Sequence, residues 1–151
     1  MKKLYSPLIC VIVFCFSAQA QSIFNNVLIT PTGCTEPSIC IDPLNPARVV
    51  AGTNCSYTYY SADSGQTWAS CNNLSITPGV WCYDACIVAD YLGNFYYFHN
   101  YCIQPTTPRI TVQKSFNGGA TWSFDNDVNG LYDKEMCCVR PGTNELYSAF
   151  I

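Results

Sequence analysis

Ser61-Ala62-Asp63-Ser64-Gly65-Gln66-Thr67-Trp68 is the stretch of this sequence that decides its fold, and it has the form S-x-D-x-G-x-T-W. Asp63 can accept hydrogen bonds from backbone N–H groups two residues on. Gly65 can take the positive φ of a tight turn, and Trp68 supplies a large apolar cover. These residue types predict the tip of a β-hairpin. A second copy, Ser115-Phe116-Asn117-Gly118-Gly119-Ala120-Thr121-Trp122, follows 54 positions later and indicates a repeat protein.

Three short apolar segments support the repeat. They occupy residues 36–42, 84–90 and 134–140 and align without gaps at offsets of 48 and 50. A turn and a second strand are predicted after each segment, and a third strand leads into each octapeptide. Four antiparallel strands in about 50 residues is the period of a propeller blade. The predicted fold class is therefore an all-β β-propeller of four-stranded blades at residues 36–72, 84–126 and 134–151, about two and a half in all.

The octapeptides resemble the Asp-box repeats of the sialidase superfamily of β-propellers. The matching residues are Ser61, Asp63, Gly65 and Trp68 in the first copy and Ser115, Asn117, Gly119 and Trp122 in the second. In that family the box lies in the turn between the third and fourth strands and supports the fold. The resemblance therefore implies a structural role for these residues, and it places the ligand site at the opposite face, over the central channel.

Carboxylates stand where the three innermost strands are predicted to begin. Glu36 and Asp84 precede the first two of these strands, and Asp133 and Glu135 flank the start of the third. Carboxylates that converge on a channel mouth suit general acid–base work on a glycosidic bond. They equally suit a cation or ligand contact, or simple acceptors for backbone N–H groups, and these interpretations stay open.

The stretches around these carboxylates are similar to those of secreted bacterial proteins of exo-sialidase type. The likeness departs at residues 82–85, where a Gly and a Pro are missing and one residue is inserted, and at Met136, where the family has Trp. It implies an enzyme that acts on sialylated glycans. We predict catalytic residues at Asp84, Glu36 and Glu135 and glycan contacts at Arg109, Trp81, Tyr101 and Asp133.

The arginines argue against activity of this chain alone. Sialidases hold the substrate carboxylate with three arginines that surround it. This sequence has three arginines in all, Arg48, Arg109 and Arg140. Of these, only Arg109 is predicted at the ligand face. We therefore expect either an exo-acting glycosidase that is active in its full-length form, or a non-catalytic propeller module that binds a glycan or a protein.

The first 20 residues predict a secretory signal peptide. A basic start at Lys2-Lys3 precedes an apolar run at residues 8–16 that is too short to span a bilayer, and Ala18-Gln19-Ala20 is a small-x-small cleavage site. The product is expected to be secreted or periplasmic, with no membrane span. Without the two lysines, five basic residues remain against ten acidic ones, which argues against nucleic acid as a partner.

Nine of the eleven cysteines follow the signal, and an odd number leaves at least one thiol unpaired. Cys55 and Cys71 flank the first octapeptide and are the best candidate disulfide pair. A zinc site built from Cys82, Cys86 and Cys137-Cys138 is less favoured than a role as small apolar residues.

Two further expectations complete the sequence-based hypotheses. Asp125-x-Asp127-x-Asn129-Gly130 repeats the first half of a calcium loop, although a simple turn is favoured because Met136 stands where the loop needs Glu. No other cofactor or metal is predicted. Because closed propellers need about four blades or more, remaining blades or a second chain are expected to complete the ring.

Overall fold

The computed structural model describes residues 26–31, 35–54, 57–71, 74, 81–102, 109–130 and 133–151. The regular elements in these ranges are all β-strands, so the predicted all-β class is confirmed. No helix in these ranges is long and apolar enough to cross a membrane. The predicted signal peptide lies outside the described residues.

The strands form three antiparallel sheets that follow chain order. The first sheet contains β1 (Ser38–Ile41), β2 (Val49–Gly52), β3 (Thr58–Ser61) and β4 (Ala69–Cys71). The second sheet contains β5 (Trp81–Ala89), β6 (Phe95–Cys102), β7 (Arg109–Ser115) and β8 (Ser123–Asn129). The third sheet contains β9 (Glu135–Val139) and β10 (Leu146–Phe150). Within each sheet, every strand pairs with the next one along the chain, as expected of antiparallel hairpins.

Apolar faces hold the three sheets together through their first strands, because β1 contacts β5 and β5 contacts β9. One core cluster lies between the first and second sheets and includes Val50, Ile87 and the fully buried Tyr97. Another lies between the second and third sheets and includes Phe98 and Ile110. Each such large side chain contributes about 2 kcal/mol of stability through burial. The buried Tyr97 hydroxyl is satisfied because it donates to the Thr53 carbonyl at 3.0 Å.

The first octapeptide forms the turn between β3 and β4. The Ser61 Oγ accepts the Gly65 N–H at 2.9 Å, while the Asp63 carboxylate accepts the backbone N–H and the hydroxyl of Thr67 at 2.9 and 2.6 Å. Gly65 has a φ of 84°. The prediction that Asp63 accepts the backbone N–H two residues on is wrong, because the Ser61 Oγ accepts that N–H, which belongs to Gly65. The sequence predicts that the fourth strand starts at Thr67. β4 instead starts at Ala69, because Thr67 belongs to this turn.

The second octapeptide forms the turn between β7 and β8 in the same way. The Ser115 Oγ accepts the Gly119 N–H at 2.9 Å, and the Asn117 Oδ1 accepts the Thr121 N–H at 2.9 Å. The Asn117 amide also donates to the Thr121 hydroxyl at 2.8 Å. Asparagine therefore reproduces the bonding of the carboxylate and reverses only the direction of the last hydrogen bond.

Asp63 and Asn117 are expected to differ at low pH. Hydrogen bonds, above all from the Thr67 side chain, lower the pKa of Asp63 from 3.8 to about 2. The stability that this carboxylate contributes is present above pH 3.8 and is lost as the pH falls towards 2, whereas Asn117 does not titrate. NMR titration should give a midpoint of about 2 for Asp63, and Thr67→Ala should move it towards 3.8. The matched variant Thr121→Ala should leave it unchanged, and equal midpoints in all three proteins would contradict this account.

Candidate functional site

A β-bulge at Asp84 shapes one end of the second sheet. Tyr83 pairs with Asn100 and Cys86 pairs with Phe98, so two residues of β5 face one residue of β6. The bulge places one extra residue in β5 relative to β6. Asp84 has a φ of 59° there, a left-handed conformation that costs a non-glycine residue about 1 kcal/mol. Glu36, which aligns with Asp84 48 positions earlier, has a φ of 52°.

Hydrogen bonds hold these two strained residues together. The Asn54 side chain makes two of these bonds. Its Nδ2 donates to the Glu36 carboxylate at 2.7 Å, and its Oδ1 accepts the backbone N–H of Asp84 at 2.8 Å. The same N–H lies 3.3 Å from the Glu36 Oε2. Glu36 and Asn54 therefore tie the beginning of the first sheet to the beginning of the second.

An equivalent set of contacts joins the second sheet to the third. The Asn100 amide donates to the Asp84 Oδ2 at 2.9 Å, and the Lys134 ammonium lies 3.3 Å from the Asp84 Oδ1. The Asn100 amide also donates to the Asp133 backbone carbonyl. We call the group of six residues at this end of the sheets the polar cluster: Glu36, Asn54, Asp84, Asn100, Lys134 and Glu135.

Glu135 is the most unusual member of the polar cluster. Its side chain is fully buried, and neither carboxyl oxygen has a hydrogen-bond partner within the described part of the chain. Burial above all, together with the charges of Asp84 and Cys86, raises the pKa of Glu135 to about 8 against the opposing effects of its own backbone N–H and of Lys134. The carboxyl group is therefore mainly protonated near neutral pH and is a proton donor.

The polar cluster contains two carboxyl groups with different surroundings, the neutral one of Glu135 and the ionised one of Asp84. Asp84 is ion-paired with Lys134 and hydrogen-bonded to Asn100, whereas Glu135 lacks such partners among the described residues. Two carboxyl groups whose environments differ in this way can divide the roles of acid and base. The arrangement brings together the three residues predicted as catalytic, namely Glu36, Asp84 and Glu135.

The predicted ligand contacts stand in other surroundings. Arg109 forms an ion pair with Asp127 at 3.3 Å, and Asp127 also accepts the Thr111 hydroxyl at 2.7 Å. Arg109 lies at the same end of the second sheet as Asp84, two strands away. Asp133 contributes its backbone carbonyl to the polar cluster while its side chain is exposed.

The sequence predicts Trp81 and Tyr101 in loops of the ligand face, and this prediction is wrong because both residues lie in strands. β5 and β6 continue past the bulge, where Trp81 pairs with Cys102 and Cys82 pairs with Tyr101. The long hairpin forms because its aromatic and β-branched residues favour strands, and a bulge lets the ladder resume after the inserted residue.

The polar cluster and the octapeptide turns lie at opposite ends of the sheets. The turns follow β3 and β7, at the ends marked by Ser61 and Ser115. Glu36, Asp84 and Glu135 lie at the beginnings of β1, β5 and β9, and the alternating strand directions place these beginnings at the other end.

The residues of the calcium loop hypothesis lie in an extended strand. Asp125, Asp127 and Asn129 all belong to β8, which ends at Asn129, and Asp127 is engaged by Arg109. Among the described residues, no group of three His, Cys, Asp or Glu side chains could hold a metal ion. Calcium binding at these positions stays a prediction.

Cys71 and His99 differ from their predicted environments. Cys71 is a free, buried thiol that donates to the Ala120 carbonyl, so it does not form the expected disulfide, and Cys55 lies outside the described residues. The sequence predicts His99 at the end of a strand and at the ligand face; it is instead fully buried in the middle of β6, because β6 extends to Cys102. Burial lowers the pKa of His99 to about 4, which keeps the ring neutral.

Three members of the polar cluster were missed by reasoning from the sequence: Asn54, Asn100 and Lys134. The two asparagines follow the first residues of β2 and β6 by the same five positions, a repeat that is visible only once the strand bounds are known. Lys134 aligns with Glu36 and Asp84, and its opposite charge lets it pair with Asp84.

Comparisons of this chain with protein-family models, with curated proteins and with solved structures find no match.

Proposed function

We propose that this chain forms part of a sialidase-like β-propeller whose polar cluster acts on sialylated glycans in the full-length, secreted protein. The observation that carries the proposal is the buried, protonated carboxyl group of Glu135 beside the ion-paired carboxylate of Asp84. A proton donor and a carboxylate at one site are the groups that glycoside hydrolysis needs.

The arrangement of the sheets supports the propeller. Sheets of antiparallel strands repeat along the chain, and their first strands β1, β5 and β9 are neighbours, as the inner strands of blades would be. Turns with Asp-box bonding occupy the ends opposite the polar cluster. Apolar residues on the outer faces of this array, such as Ile39 and Met136, are more than half exposed, which suits packing against further blades or a second chain.

In the proposed reaction, Glu135 donates its proton to the leaving glycosidic oxygen. Asp84 lies on the neighbouring strand and either activates water or stabilises the positive charge that develops on the sugar. Glu36 and the two asparagines position Asp84, because Asn54 holds its backbone N–H and Asn100 holds its carboxylate. Lys134 balances the charge of Asp84.

The arginines favour a second function, that of a non-catalytic glycan- or protein-binding module. Each of the three is ion-paired with a carboxylate: Arg48 with Asp42 at 3.7 Å, Arg109 with Asp127 at 3.3 Å and Arg140 with Glu145 at 3.0 Å. Arg48 and Arg140 flank turns at the end of the sheets that carries the octapeptides. The described residues therefore do not assemble three arginines around one substrate carboxylate.

Release of sugar from a sialyl reporter by the full-length protein tests the enzymatic function. We expect hydrolysis by the wild type and a loss of about 100-fold in Asp84→Asn, the lower range for removal of an acid–base group. The matched control Glu145→Gln, at an exposed carboxylate beside the octapeptide end, should retain full activity. Retention on a glycan array without hydrolysis would instead support the binding module, and absence of both would contradict both functions.

A further inference from the structure

Two free cysteines from neighbouring sheets pack against the same apolar cluster, where β5 contacts β9. Cys86 lies in β5 and Cys137 lies in β9, and the Cys137 thiol donates a hydrogen bond to the Cys86 sulfur. Both side chains are partly buried against one apolar cluster, which includes Phe98 and Ile110. The contact is therefore a packed feature of the interface between the second and third sheets.

This contact joins two strands that share no backbone ladder. β5 pairs with β6, and β9 pairs with β10, so side chains hold the described parts of these two sheets together. The cysteines lie two residues beyond the two carboxyl residues of the polar cluster, Asp84 and Glu135 respectively. A covalent bond at this level would fasten together the strands that carry those residues.

The electrostatics around the two sulfur atoms make Cys86 the nucleophile. The hydrogen bond from Cys137 lowers the pKa of Cys86 to about 7, with help from the positive charge of Lys134. The same hydrogen bond and burial raise the pKa of Cys137. Near neutral pH a large fraction of Cys86 is thiolate, the form that attacks disulfides, and Cys137 retains its proton.

We propose that Cys86 and Cys137 are a disulfide-forming pair that links the second and third sheets when the protein meets a small-molecule disulfide such as oxidised glutathione. The Cys86 thiolate attacks one sulfur of the oxidant, forms a mixed disulfide and releases one thiolate. Cys137 then transfers its proton to that thiolate and attacks the Cys86 sulfur, which releases the second half of the oxidant. Counted from the Cys86 thiolate and the Cys137 thiol, the protein loses one proton and two electrons, and the oxidant becomes one thiol and one thiolate.

Other described thiols have different surroundings. Cys71 donates to the Ala120 carbonyl, and Cys40 donates to the carbonyl of Ile41, its chain neighbour. Cys138 is exposed and follows Cys137 in β9, where successive side chains point to opposite faces of the sheet. The contact between sulfur atoms therefore selects Cys86 and Cys137, and Cys40 is the competitor to test because it lies near Cys86.

Peptide mapping of the full chain after treatment with oxidised glutathione tests the proposal. Digestion with trypsin, which does not cleave the Arg140–Pro141 bond, and a protease that cleaves before aspartate isolates Cys86 in residues 84–89 and Cys137 in residues 135–151. We expect mass spectrometry to find these two peptides joined by a disulfide and separated by reductant. Because residues 135–151 also contain Cys138, the digest is repeated in Cys138→Ser, where the same linked pair should persist.

Stability gives a second measurement. The disulfide closes a loop of about 50 residues, so the oxidised protein should unfold at a higher denaturant concentration than the reduced protein. Cys86→Ser and Cys137→Ser should abolish this shift and the linked peptide, whereas Cys138→Ser should retain both. Circular dichroism in the absence of oxidant checks that each variant retains its β-sheet.

Two outcomes would overturn the proposal. One is a wild-type protein that keeps both thiols open to alkylation after oxidation. The other is Cys86 joined to Cys40 or to another cysteine in the linked peptides. Neither outcome depends on sugar release, so the disulfide and the proposed enzymatic activity succeed or fail separately.

Discussion

Glu135→Gln is expected to remove a loss of stability that the wild-type protein shows as the pH rises from about 4.5 to about 8. Burial and nearby negative charge raise the pKa of Glu135 from 4.5 to about 8. The folded state therefore binds a proton that the unfolded state releases, so the stabilisation is complete below pH 4.5 and is lost as the pH rises through 8. A shift of this size corresponds to a change in the free energy of unfolding of about 5 kcal/mol.

The measurement is the free energy of unfolding by denaturant across this pH range, compared between wild type and Glu135→Gln. Burial lowers the pKa of His99 from 6.5 to about 4, so the stability contributed by the neutral ring is lost as the pH falls through that interval. Both proteins contain His99, so its effect on the free energy of unfolding cancels in the comparison. Glu145→Gln, at an exposed carboxylate, is the matched control and should keep the wild-type profile. Parallel profiles for wild type and Glu135→Gln would show that Glu135 does not hold its proton in the folded state.

Gly119→Ala is expected to destabilise the protein by about 3 kcal/mol, of which about 1 reflects the left-handed backbone and about 2 the overpacked core. Gly119 has a φ of 91°, and it packs the second octapeptide turn against the first sheet. A Cβ at this position would lie 2.6 Å from the Val50 Cγ2 and 3.1 Å from the Tyr60 Cβ. Both neighbours belong to the interface between the sheets, so neither can move without loss of contacts.

Gly142→Ala separates the two causes. Gly142 has a similar φ of 77°, but a Cβ there would meet nothing within 4 Å among the described residues, so only the backbone cost of about 1 kcal/mol is expected. Val50→Ala should partly rescue Gly119→Ala, since it removes the nearest methyl groups, and the double variant should cost less than the sum of the single ones. Equal effects of the two glycine substitutions on denaturant unfolding would refute the close packing.

The strand pattern could be predicted because it depends on short stretches of sequence. The sequence predicts the third strand of the second repeat at residues 109–115, and β7 has these bounds. The turns at Gly65 and Gly119 each depend on residues that lie within eight positions of one another. Expectations failed where a side chain or an insertion changed the local ladder. β4 starts late because Thr67 is bonded into the turn, and Trp81 belongs to a strand because the bulge at Asp84 lets β5 continue.

The site was predicted in its carboxylates and not in its supporting residues. Glu36, Asp84 and Glu135 stand out because they recur at the beginnings of apolar strands. Asn54 and Asn100 carry no such local signal, since an asparagine near a strand end usually marks a turn. Their role depends on partners in other strands, which the alignment of strand beginnings alone does not identify.

The sequence by itself determined the all-β class, the hairpin turns and the repeat, because each depends on backbone preferences within a few residues. Only the tertiary structure decided that Glu135 is protonated near neutral pH and that Cys86 meets Cys137. Both properties arise where β5 packs against β9, strands about 50 residues apart, because removal from water and the approach of other charges are set by neighbours in space and not along the chain.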